Sequence, residues 1–301
     1  MSVTSYLDDN SILGKAFIER TNSELNTIIQ NGEYEYSEDN NDQIYAFSIK
    51  KNESLSEIYN DNYQVVRLVL KNIDTMHSEE QEKHFKKLFL SLEEYMNDNP
   101  AYYNVRIPTH FVDAIKAYNE IFKKDIFCGG TVEWIGANKK IDIEMKPGID
   151  VFWADKEYIE NNKARLLDIA YTSFEQYQGQ YHISPVTAGK AGIIYQKWLE
   201  NSFDNYQGNV LIVTHENTPI SFVLYGETDY SVEAVVGAVD NEYRKYGAYR
   251  LMISTGVNYA TSKNKNFVTS TQFDNYIVQG VWTSLGLKPF YSIYNIHCDR
   301  R

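Results

Sequence analysis

The sequence has 301 residues, of which 43% are hydrophobic and 23% charged, so it is typical of a globular protein that builds its own core. Its net charge of −12 argues against non-specific binding to nucleic acid or to an anionic membrane, although a local cluster of donors can still hold an anionic ligand. We find no secretory signal and no run of about 20 apolar residues, so we expect a cytoplasmic protein that does not span a membrane.

Strands and helices alternate in the first half of the chain. β-branched or alternating apolar residues predict four strands, at 43–50, 63–71, 102–107 and 126–135. Apolar residues at three- and four-residue spacing predict helices at 79–96 and 108–122, and a further helix is expected near 14–30. The alternation indicates an α/β layout. The Lys-, Asn- and Gly-rich stretch 136–148 is expected to mark a domain boundary.

The second half has a clearer pattern. Strands are predicted at 141–145, 209–214, 219–225, 231–239, 266–271 and 288–298. Helices are predicted at 156–177 and 187–203, from the loop after Val239 to about residue 262, and at 274–284, the last one capped by Gly286. The short connectors HENT and GETD predict antiparallel neighbours. We therefore predict an α/β fold with a mixed sheet, a smaller module over 1–140 and a second domain over 141–301.

The segment most informative about function joins the strand that ends at Val239 to the following helix. A glycine-containing loop in that position leaves backbone N–H groups free at the N-terminus of the helix, where the macrodipole favours an anion. Arg244, Lys245 and Arg250 add positive charge there in an otherwise acidic protein. The sequence therefore predicts an anion-binding loop around Gly247, although such a loop alone can also be purely structural.

In its context this loop resembles that of the GNAT N-acyltransferase superfamily, whose fourth strand precedes an Arg/Gln-x-x-Gly-x-Gly/Ala motif. Here the motif is Arg244-x-x-Gly247-x-Tyr249, with Tyr249 where the family has Gly or Ala. Asn275 and the run from Trp282 to Leu287 are similar to the family helix that lies along the pantetheine arm of the cofactor. The element order over residues 141–298 matches the GNAT order.

A narrower resemblance is to sugar-nucleotide acetyltransferases of the dTDP-fucosamine type. Those proteins carry a Tyr-His turn and a Tyr-x-x-Trp motif, which correspond here to Tyr181-His182 and to Tyr195 with Trp198. They also have an N-terminal α/β half. The resemblance therefore implies a C-terminal GNAT acyltransferase fold preceded by a second, smaller α/β module, which could be a degenerate GNAT-like half.

The resemblance implies acetyl-CoA as co-substrate. The loop would hold its pyrophosphate, and the strand end at Ala238 and Val239 would offer a backbone N–H to the thioester carbonyl. The cofactor-binding residues implied in this way are Ala238, Val239, Arg244, Lys245, Tyr246, Gly247, Ala248, Tyr249, Asn275 and Trp282.

Candidates for proton transfer follow from the position of each residue. Glu233 shares strand parity with Gly237 and Val239, which would place it on their face as a base, and His182 lies on a loop expected to cover the acceptor. The family's acidic Tyr is Trp282 here, so Tyr291 or Tyr294 on the final strand would have to supply the proton. Each of these residues also has an ordinary structural interpretation: an exposed strand carboxylate, a capping histidine, or core tyrosines.

No metal site is expected. His297 beside Cys298 lacks a third ligand, and the two cysteines, Cys128 and Cys298, allow at most one bridge and are expected to be reduced. His84 and His110 are predicted to be surface residues. A helix face formed by Tyr171, Phe174 and Tyr177 is expected to pack inward, although these rings could also stack on a sugar or base.

These observations predict a GNAT-family N-acetyltransferase that moves an acetyl group from acetyl-CoA to a primary amine of a small acceptor, with an amino-sugar nucleotide as the first candidate. One alternative keeps the chemistry and changes the acceptor to a peptide, polyamine or antibiotic amine. Another is a non-catalytic acyl-CoA-binding protein, which Trp282 and Tyr249 favour. The resemblance also allows a homodimer.

Overall fold

The computed structural model describes residues 13, 15, 20, 22, 35–40, 43–73, 78–123, 125–136, 139–177, 179–184, 187–205 and 209–301. The helix predicted near residues 14–30 lies outside the described residues, apart from isolated positions.

The described residues form strands and helices that largely follow the predicted pattern. The strands are β1 (Tyr36–Asn40), β2 (Gln43–Lys51), β3 (Tyr63–Lys71), β4 (Tyr102–Pro108), β5 (Ile126–Gly136), β6 (Ile149–Ala154), β7 (Asn209–His215), β8 (Thr218–Glu227), β9 (Ser231–Val239), β10 (Asn266–Gln272) and β11 (Lys288–Asp299). The helices are α1 (Glu53–Tyr59), α2 (Glu79–Asp98), α3 (Val112–Ile121), α4 (Lys156–Glu175), α5 (Gln180–Ile183), α6 (Ala191–Asn205), α7 (Ala248–Ser262) and α8 (Tyr276–Ser284). A 3₁₀ segment, Asn241–Tyr246, precedes α7.

Within the described ranges, eleven strands form one mixed sheet in the order β1-β2-β3-β4-β11-β5-β10-β9-β8-β7-β6. The pairs β7·β8 and β8·β9 are antiparallel, as their short connectors predicted. The pairs β3·β4 and β9·β10 are parallel. The α/β class with a mixed sheet is therefore confirmed, whereas a separate N-terminal module stays a prediction.

The chain divides into two compact units, residues 1–132 with 290–301, and residues 133–289. The division does not test the predicted domains 1–140 and 141–301, which stay predictions. It does assign most of β11 to the first unit, where this strand pairs antiparallel with β4.

In the first unit, α2 and α3 cover one face of the sheet. Ser78 begins α2 by accepting a 2.9 Å hydrogen bond from the Gln81 N–H, which satisfies one of the free donors of the first turn. From there Phe85, Leu88 and Leu92 recur along the inner face and are fully buried. The helix thus forms because its apolar residues follow the helical period and find a sheet to cover.

A buried polar cluster lies beside this core. The Tyr118 hydroxyl donates to Asp125 Oδ2 at 2.6 Å, Cys298 Sγ lies 3.1 Å from the same oxygen, and Arg300 pairs with the other carboxylate oxygen. Cys298 is free in the described part of the chain, and burial raises the pKa of its thiol well above the usual value, with the Asp125 charge acting in the same direction. Such a thiol is a structural group rather than a nucleophile.

The predicted surface position of His84 is wrong. Its ring is 8% exposed and stacks on Tyr45 with centroids 4.7 Å apart, because it lies on the inner side of α2. His110 is partly buried, and burial lowers its pKa to about 4. His297 on β11 is 3% exposed, and burial together with the Arg106 charge lowers its pKa to about 4.

In the second unit, α4 and α6 cover one face of β7, β8 and β9. Leu166, Ile169 and Leu199 pack there against Phe222 and Leu224 of β8. The intervening side chains of β8 point to the other face, where α7 lies. The Tyr225 hydroxyl donates a 2.7 Å hydrogen bond to the carbonyl of Met252 in α7.

The strand predicted at 141–145 is wrong. Residues 141–146 are irregular and mostly exposed, and the strand is β6, which begins after a turn at Gly148 with φ of +76°. Asn258 holds the backbone of Ile141 from both sides, accepting from its N–H at 2.7 Å and donating to its carbonyl at 2.8 Å. These side-chain bonds replace strand pairing, and β6 pairs with β7 instead.

The contact between Gly256 and Tyr225 predicts a steric penalty. A Cβ at Gly256 would lie 2.6 Å from ring carbons of the buried Tyr225, which cannot move without losing its bond to Met252. We expect Gly256→Ala to lower the free energy of unfolding in urea by about 1–3 kcal/mol. The matched control is Gly280→Ala in α8, where a Cβ meets nothing within 4 Å; it should stabilise the protein by about 0.5–1 kcal/mol. Equal effects of the two changes would contradict the packing argument.

Burial of His297 predicts acid sensitivity. Its pKa is about 4 in the folded protein against an ordinary 6.5, so below pH 6.5 the unfolded chain takes up a proton that the native state does not. Stability present above pH 6.5 is therefore lost as the pH falls toward 4, by about 1.4 kcal/mol per pH unit for this group. Urea unfolding at several pH values should show a shallower loss for His297→Asn. An unchanged slope would rule out His297 as a contributor.

Candidate functional site

A β-bulge interrupts β9 in the middle of the second unit. Val239 to Val236 pair in step with Ser221 to Leu224 of β8, but the next partner of β8, Tyr225, lies opposite Ala234. Val235 is therefore the extra residue, and it is 37% exposed. A bulge shifts the alternation of side chains, so residues on its two sides no longer follow one parity.

The bulge overturns the predicted face of Glu233. Cross-strand partners on β8 place Glu233 on the same face as Val236 and Ala238, which pack toward α4. Gly237 and Val239 lie on the opposite face, so the parity argument that grouped them with Glu233 is wrong. Glu233 accepts a 3.2 Å hydrogen bond from the Ser231 hydroxyl and is partly buried.

Beyond the bulge β9 and β10 separate. Their parallel pairing runs from Ser231 opposite Asn266 to Ala234 opposite Thr269, whereas both strands continue, to Val239 and to Gln272. We call this opening, between 235–239 of β9 and 270–272 of β10, the splay. The backbone groups that line it no longer pair with a neighbouring strand. The Val239 and Gln272 carbonyls accept from Ser173 and Gln279 instead, and the other groups can bind an extended ligand.

Backbone direction identifies which donors face the splay. The N–H of Asp240 donates to the Ile220 carbonyl of β8 at 2.8 Å. Because successive N–H groups of a strand point in opposite directions, those of Gly237 and Val239 point into the splay. The N–H of Ala238 points toward β8 instead, so of the two predicted donors Val239 has the suitable direction.

The loop after β9 leads directly to an uncapped helix. Gly247 has φ of +80°, which a glycine adopts without strain, and it is the N-cap of α7. It offers no side-chain cap, the first turn of α7 has no acidic residue, and a Cβ at Gly247 would meet nothing within 4 Å. The first N–H groups of α7 are thus open to an anion.

Three cationic side chains surround this loop. Arg244 and Lys245 are exposed, and Arg250 donates to the Ser284 hydroxyl at 2.6 Å. Lys146 donates to the Lys245 carbonyl at 3.3 Å, which brings a further charge. Tyr246 is also exposed and packs against the His215 ring at 4.9 Å.

A polar network attaches the loop to α4. Arg165 pairs with Asp240 and also donates to the Pro219 carbonyl at 3.3 Å, while Asp240 accepts from the Glu242 N–H at 2.8 Å. The Ser173 hydroxyl donates to the Val239 carbonyl at 2.8 Å. The network fixes the end of β9, and it offsets the charge of the Asp240 carboxylate just before the loop.

Asn275 and Trp282 occupy different environments on α8. Asn275 is the N-cap, where its Oδ1 accepts from the Val278 N–H at 3.4 Å and its Nδ2 donates to Thr271 Oγ1 at 2.9 Å. Trp282 is 1% exposed and packs on Trp134 with ring centroids 5.8 Å apart. It is part of the core in this structure.

Tyr249 lies in the first turn of α7 and is partly buried. Burial raises the pKa of its hydroxyl, and the Trp282 indole N–H acts in the opposite direction. The Trp282 indole N–H and the Tyr249 hydroxyl do not form a well-aligned hydrogen bond, since the indole N–H has no partner of suitable geometry in the described part of the chain. The bulky side chain at the Gly/Ala position of the motif is therefore directed into the unit.

The other residues predicted to be catalytic lie on other elements of the fold. His182 is on α5, and its Nε2 is buried without a hydrogen-bond partner among the described residues. Tyr291 and Tyr294 belong to the first unit, where their rings contact His110 at 5.8 Å and Phe127 at 5.0 Å. Their roles stay predictions.

The sequence analysis did not predict the environment of Tyr177. The helix predicted to end at 177 ends at Glu175, so the spacing argument that grouped Tyr177 with Phe174 does not apply to it. Burial raises the pKa of its hydroxyl to about 12, whereas the neighbouring Thr271 and Asn275 side chains and the Gln272 backbone act to lower it. A tyrosine just beyond a helix end was the signal available in the sequence.

Metal and membrane features are not found in the described ranges. No group of three His, Cys, Asp or Glu residues there could hold a metal ion. No described helix combines the length and the apolar composition needed to cross a membrane.

Several solved structures with a similar arrangement of elements carry the name of a GNAT protein or an N-acetyltransferase. A GCN5-related N-acetyltransferase from Sphaerobacter thermophilus matches with a TM-score of 0.61 at 11% identity, over 85% of this chain and 77% of that one. A GNAT-family acetyltransferase from Colwellia psychrerythraea matches with a TM-score of 0.51 at 10% identity, over 92% and 96%. A tandem GNAT protein from the clavulanic acid biosynthesis pathway gives 0.50 at 9%, over 86% and 79%.

These likenesses show that the chain has the GNAT N-acetyltransferase fold. At the level of sequence, no protein-family model and no curated protein matches it.

The pair formed by Arg165 and Asp240 predicts strong coupling. Asp240 is nearly buried, so removing either partner breaks a poorly solvated ion pair, and we expect Arg165→Leu and Asp240→Asn each to cost about 2–3 kcal/mol of unfolding free energy. The double variant should lose clearly less than the sum. Asp168, whose side chain is 57% exposed, also pairs with Arg165 and provides the control; its coupling should be about 0–0.5 kcal/mol. Similar coupling energies for both pairs would contradict this assignment.

Proposed function

We propose that this protein is an acetyl-CoA-dependent N-acetyltransferase that acts on a primary amine of a small acceptor. The splay carries the proposal: pairing between β9 and β10 ends at Ala234, and β9 then leads into the uncapped α7. An extended acyl-CoA needs both features, a slot with free backbone groups for its arm and an N–H cluster for its pyrophosphate.

The residues around the splay suit these tasks. The N–H groups at the start of α7, with Arg244 and Lys245, would hold the pyrophosphate. The N–H of Val239 would donate to the thioester carbonyl as negative charge develops on its oxygen. Asn275 would lie beside the pantetheine arm. Most of the rate acceleration would come from holding two substrates in a reactive orientation.

The amine must lose a proton as it attacks the thioester. Glu233 and His182 are the proposed acceptors, directly or through water. Glu233 lies on the α4 face of β9. The Nε2 of His182 is buried without a hydrogen-bond partner among the described residues, which supports a role in holding a polar ligand. The two residues offer alternative routes, and their roles rest on the acceptor binding on this face.

The acceptor is proposed to be an amino-sugar nucleotide, with peptide, polyamine and antibiotic amines as further candidates. Aromatic side chains next to His182 support a ligand that stacks: Tyr181 contacts Tyr195 at 5.7 Å, and Trp198 is 38% exposed. A homodimer and a cytoplasmic location stay predictions.

One observation favours a second function, binding of acyl-CoA without transfer. Trp282 stands where the resemblance expects an acidic tyrosine, and it is buried against Trp134. An indole N–H cannot give its proton to a thiolate. A non-catalytic binder would need no replacement for it, whereas an enzyme would need one.

Binding of acetyl-CoA tests the proposal through Gly247. We expect micromolar affinity for acetyl-CoA and desulfo-CoA by calorimetry, and a loss of at least about tenfold in Gly247→Val, whose side chain would cover the helix N-terminus. Gly189→Val is the matched control, because Gly189 also has positive φ and open space around a Cβ; it carries the same strain of about 1–2 kcal/mol.

Retained affinity in Gly189→Val with lost affinity in Gly247→Val would support the pyrophosphate assignment. Equal affinity in wild type and Gly247→Val would remove that assignment. Absence of binding to the wild type at millimolar ligand would overturn the proposed function.

A further inference from the structure

A cavity of about 400 Å³ lies at the outer edge of the sheet in the second unit, away from the splay. β6 is the edge strand there, and β7 and β8 separate it from β9. The volume falls within the range of about 300–1,000 Å³ that is usual for small-molecule sites. Residues of β6, of α4 and of the β7–β8 hairpin line the cavity: Asp150, Val151, Phe152, Tyr158, Thr214 and Asn217. None of them belongs to the proposed acetyl-CoA site.

One wall of the cavity changes from apolar to polar in a single step along the strands. Phe152 of β6 pairs with Ile212 of β7, and two residues earlier on β6 Asp150 pairs with Thr214. The alternation of side chains places all four on the α4 face. Phe152 and Ile212 belong to the apolar core on that face, whereas Asp150 is exposed. The cavity therefore offers an apolar surface directly beside a carboxylate.

The hydroxyl of Tyr158 has no partner in this arrangement. The Tyr158 ring packs edge-on against Phe152 with centroids 5.0 Å apart. Its oxygen is buried and makes no hydrogen bond to any described residue. A buried hydroxyl without a partner is costly, and such groups are uncommon in folded proteins. A polar ligand in the cavity that Tyr158 lines would satisfy it.

The charge of the cavity favours a cation. Among the described residues that line it, Asp150 alone is charged, and within the described ranges no hydrogen bond or ion pair engages its carboxylate. Tyr158, Thr214 and Asn217 add oxygens that can each accept a hydrogen bond. The backbone N–H of Tyr158 is already used, since it donates to Asp155 Oδ1 at 2.8 Å. The cavity thus presents a negative charge and several acceptors.

The hairpin that carries Asn217 is held in place by backbone bonds. Glu216 and Asn217 have φ of +49° and +66°, the left-handed conformation that a tight hairpin turn requires at both central positions. The Glu216 N–H donates to the Gly148 carbonyl at 2.9 Å, which ties the turn to the segment just before β6. The cavity is therefore formed before any ligand enters, which lowers the cost of binding.

We propose that this cavity is a binding site for a small primary ammonium ion with an apolar body. The ammonium group donates to Asp150 and to the hydroxyls of Tyr158 and Thr214, which uses its three N–H groups. The apolar body lies against the Phe152 ring, whose face also attracts a cation. Because the site is separate from the splay, the inference does not depend on the proposed acetyl transfer.

The test measures binding of phenethylammonium to the full chain by calorimetry, at about 0.15 M salt so that long-range attraction is screened. We expect a Kd of about 0.1–1 mM. The matched neutral ligand, 2-phenylethanol, differs only in its head group and should bind at least about tenfold more weakly. Asp150→Asn should weaken binding of phenethylammonium at least about tenfold, and Tyr158→Phe about fivefold.

Asp229→Asn is the matched control variant. Asp229 is another exposed carboxylate of the same unit, in the turn between β8 and β9, and does not line the cavity. A protein of net charge −12 attracts any cation weakly, and the control measures that background. We expect its affinity for phenethylammonium to stay within about twofold of the wild type. Because Asp150 is exposed, Asp150→Asn should unfold in urea as the wild type does.

Three results would overturn the inference. Absence of saturable phenethylammonium binding at millimolar ligand would remove the site, and equal affinity for 2-phenylethanol would remove the choice of a cation. Equal losses in Asp150→Asn and Asp229→Asn would show non-specific attraction. A loss in Glu233→Gln with none in Asp150→Asn would likewise overturn it, since the amine would then be bound at the proposed acceptor site. Binding that is lost in Asp150→Asn and kept in Asp229→Asn would support the inference.

Discussion

One extra residue in strand β9 lies where the second unit opens between β9 and β10. The pairing of β9 with β10 stops at Ala234, next to the bulged Val235, and the strand ends that follow line the proposed ligand slot. A regular strand would have continued the ladder and satisfied these backbone groups internally. Because buried backbone donors must find partners, a strand whose pairing ends early offers its backbone groups to a bound ligand.

Electrostatics adds a second layer to this arrangement. The chain carries a net charge of −12, and yet the start of α7 has three cations and no acidic residue in its first turn. Asp240 is the exception, one residue beyond β9, and Arg165 pairs with it from α4. The ion pair holds the loop to the helix and offsets the carboxylate charge of Asp240, whereas Glu242 in the 3₁₀ segment stays exposed. Geometry and charge thus support the same kind of ligand.

Much of the fold could be predicted from the sequence because its strands carry strong local patterns. The predicted ranges 63–71 and 231–239 coincide with β3 and β9. The strand prediction at 141–145 was wrong because these residues begin with Ile-Asp and alternate as β6 does. Only the bonds from Asn258 and the pairing of β6 with β7 distinguish the two segments. The strand face predicted for Glu233 was wrong because the alternation of side chains along a sequence cannot reveal a bulge. Of the site, the loop at Gly247 was predictable from local sequence, whereas the approach of Tyr177 to Gln272 at the end of β10 joins distant segments that only the tertiary structure brings together.

The pairing of β4 with β11 bears on how the first unit assembles. The hydrogen bond between Thr109 and Ser292 spans 183 positions of the chain, and the residues between include the whole of the second unit. Closing so long a loop costs conformational entropy that local contacts cannot repay in advance. The first unit is therefore expected to acquire its last strand only after the second has folded, so that the order of synthesis and the order of folding differ.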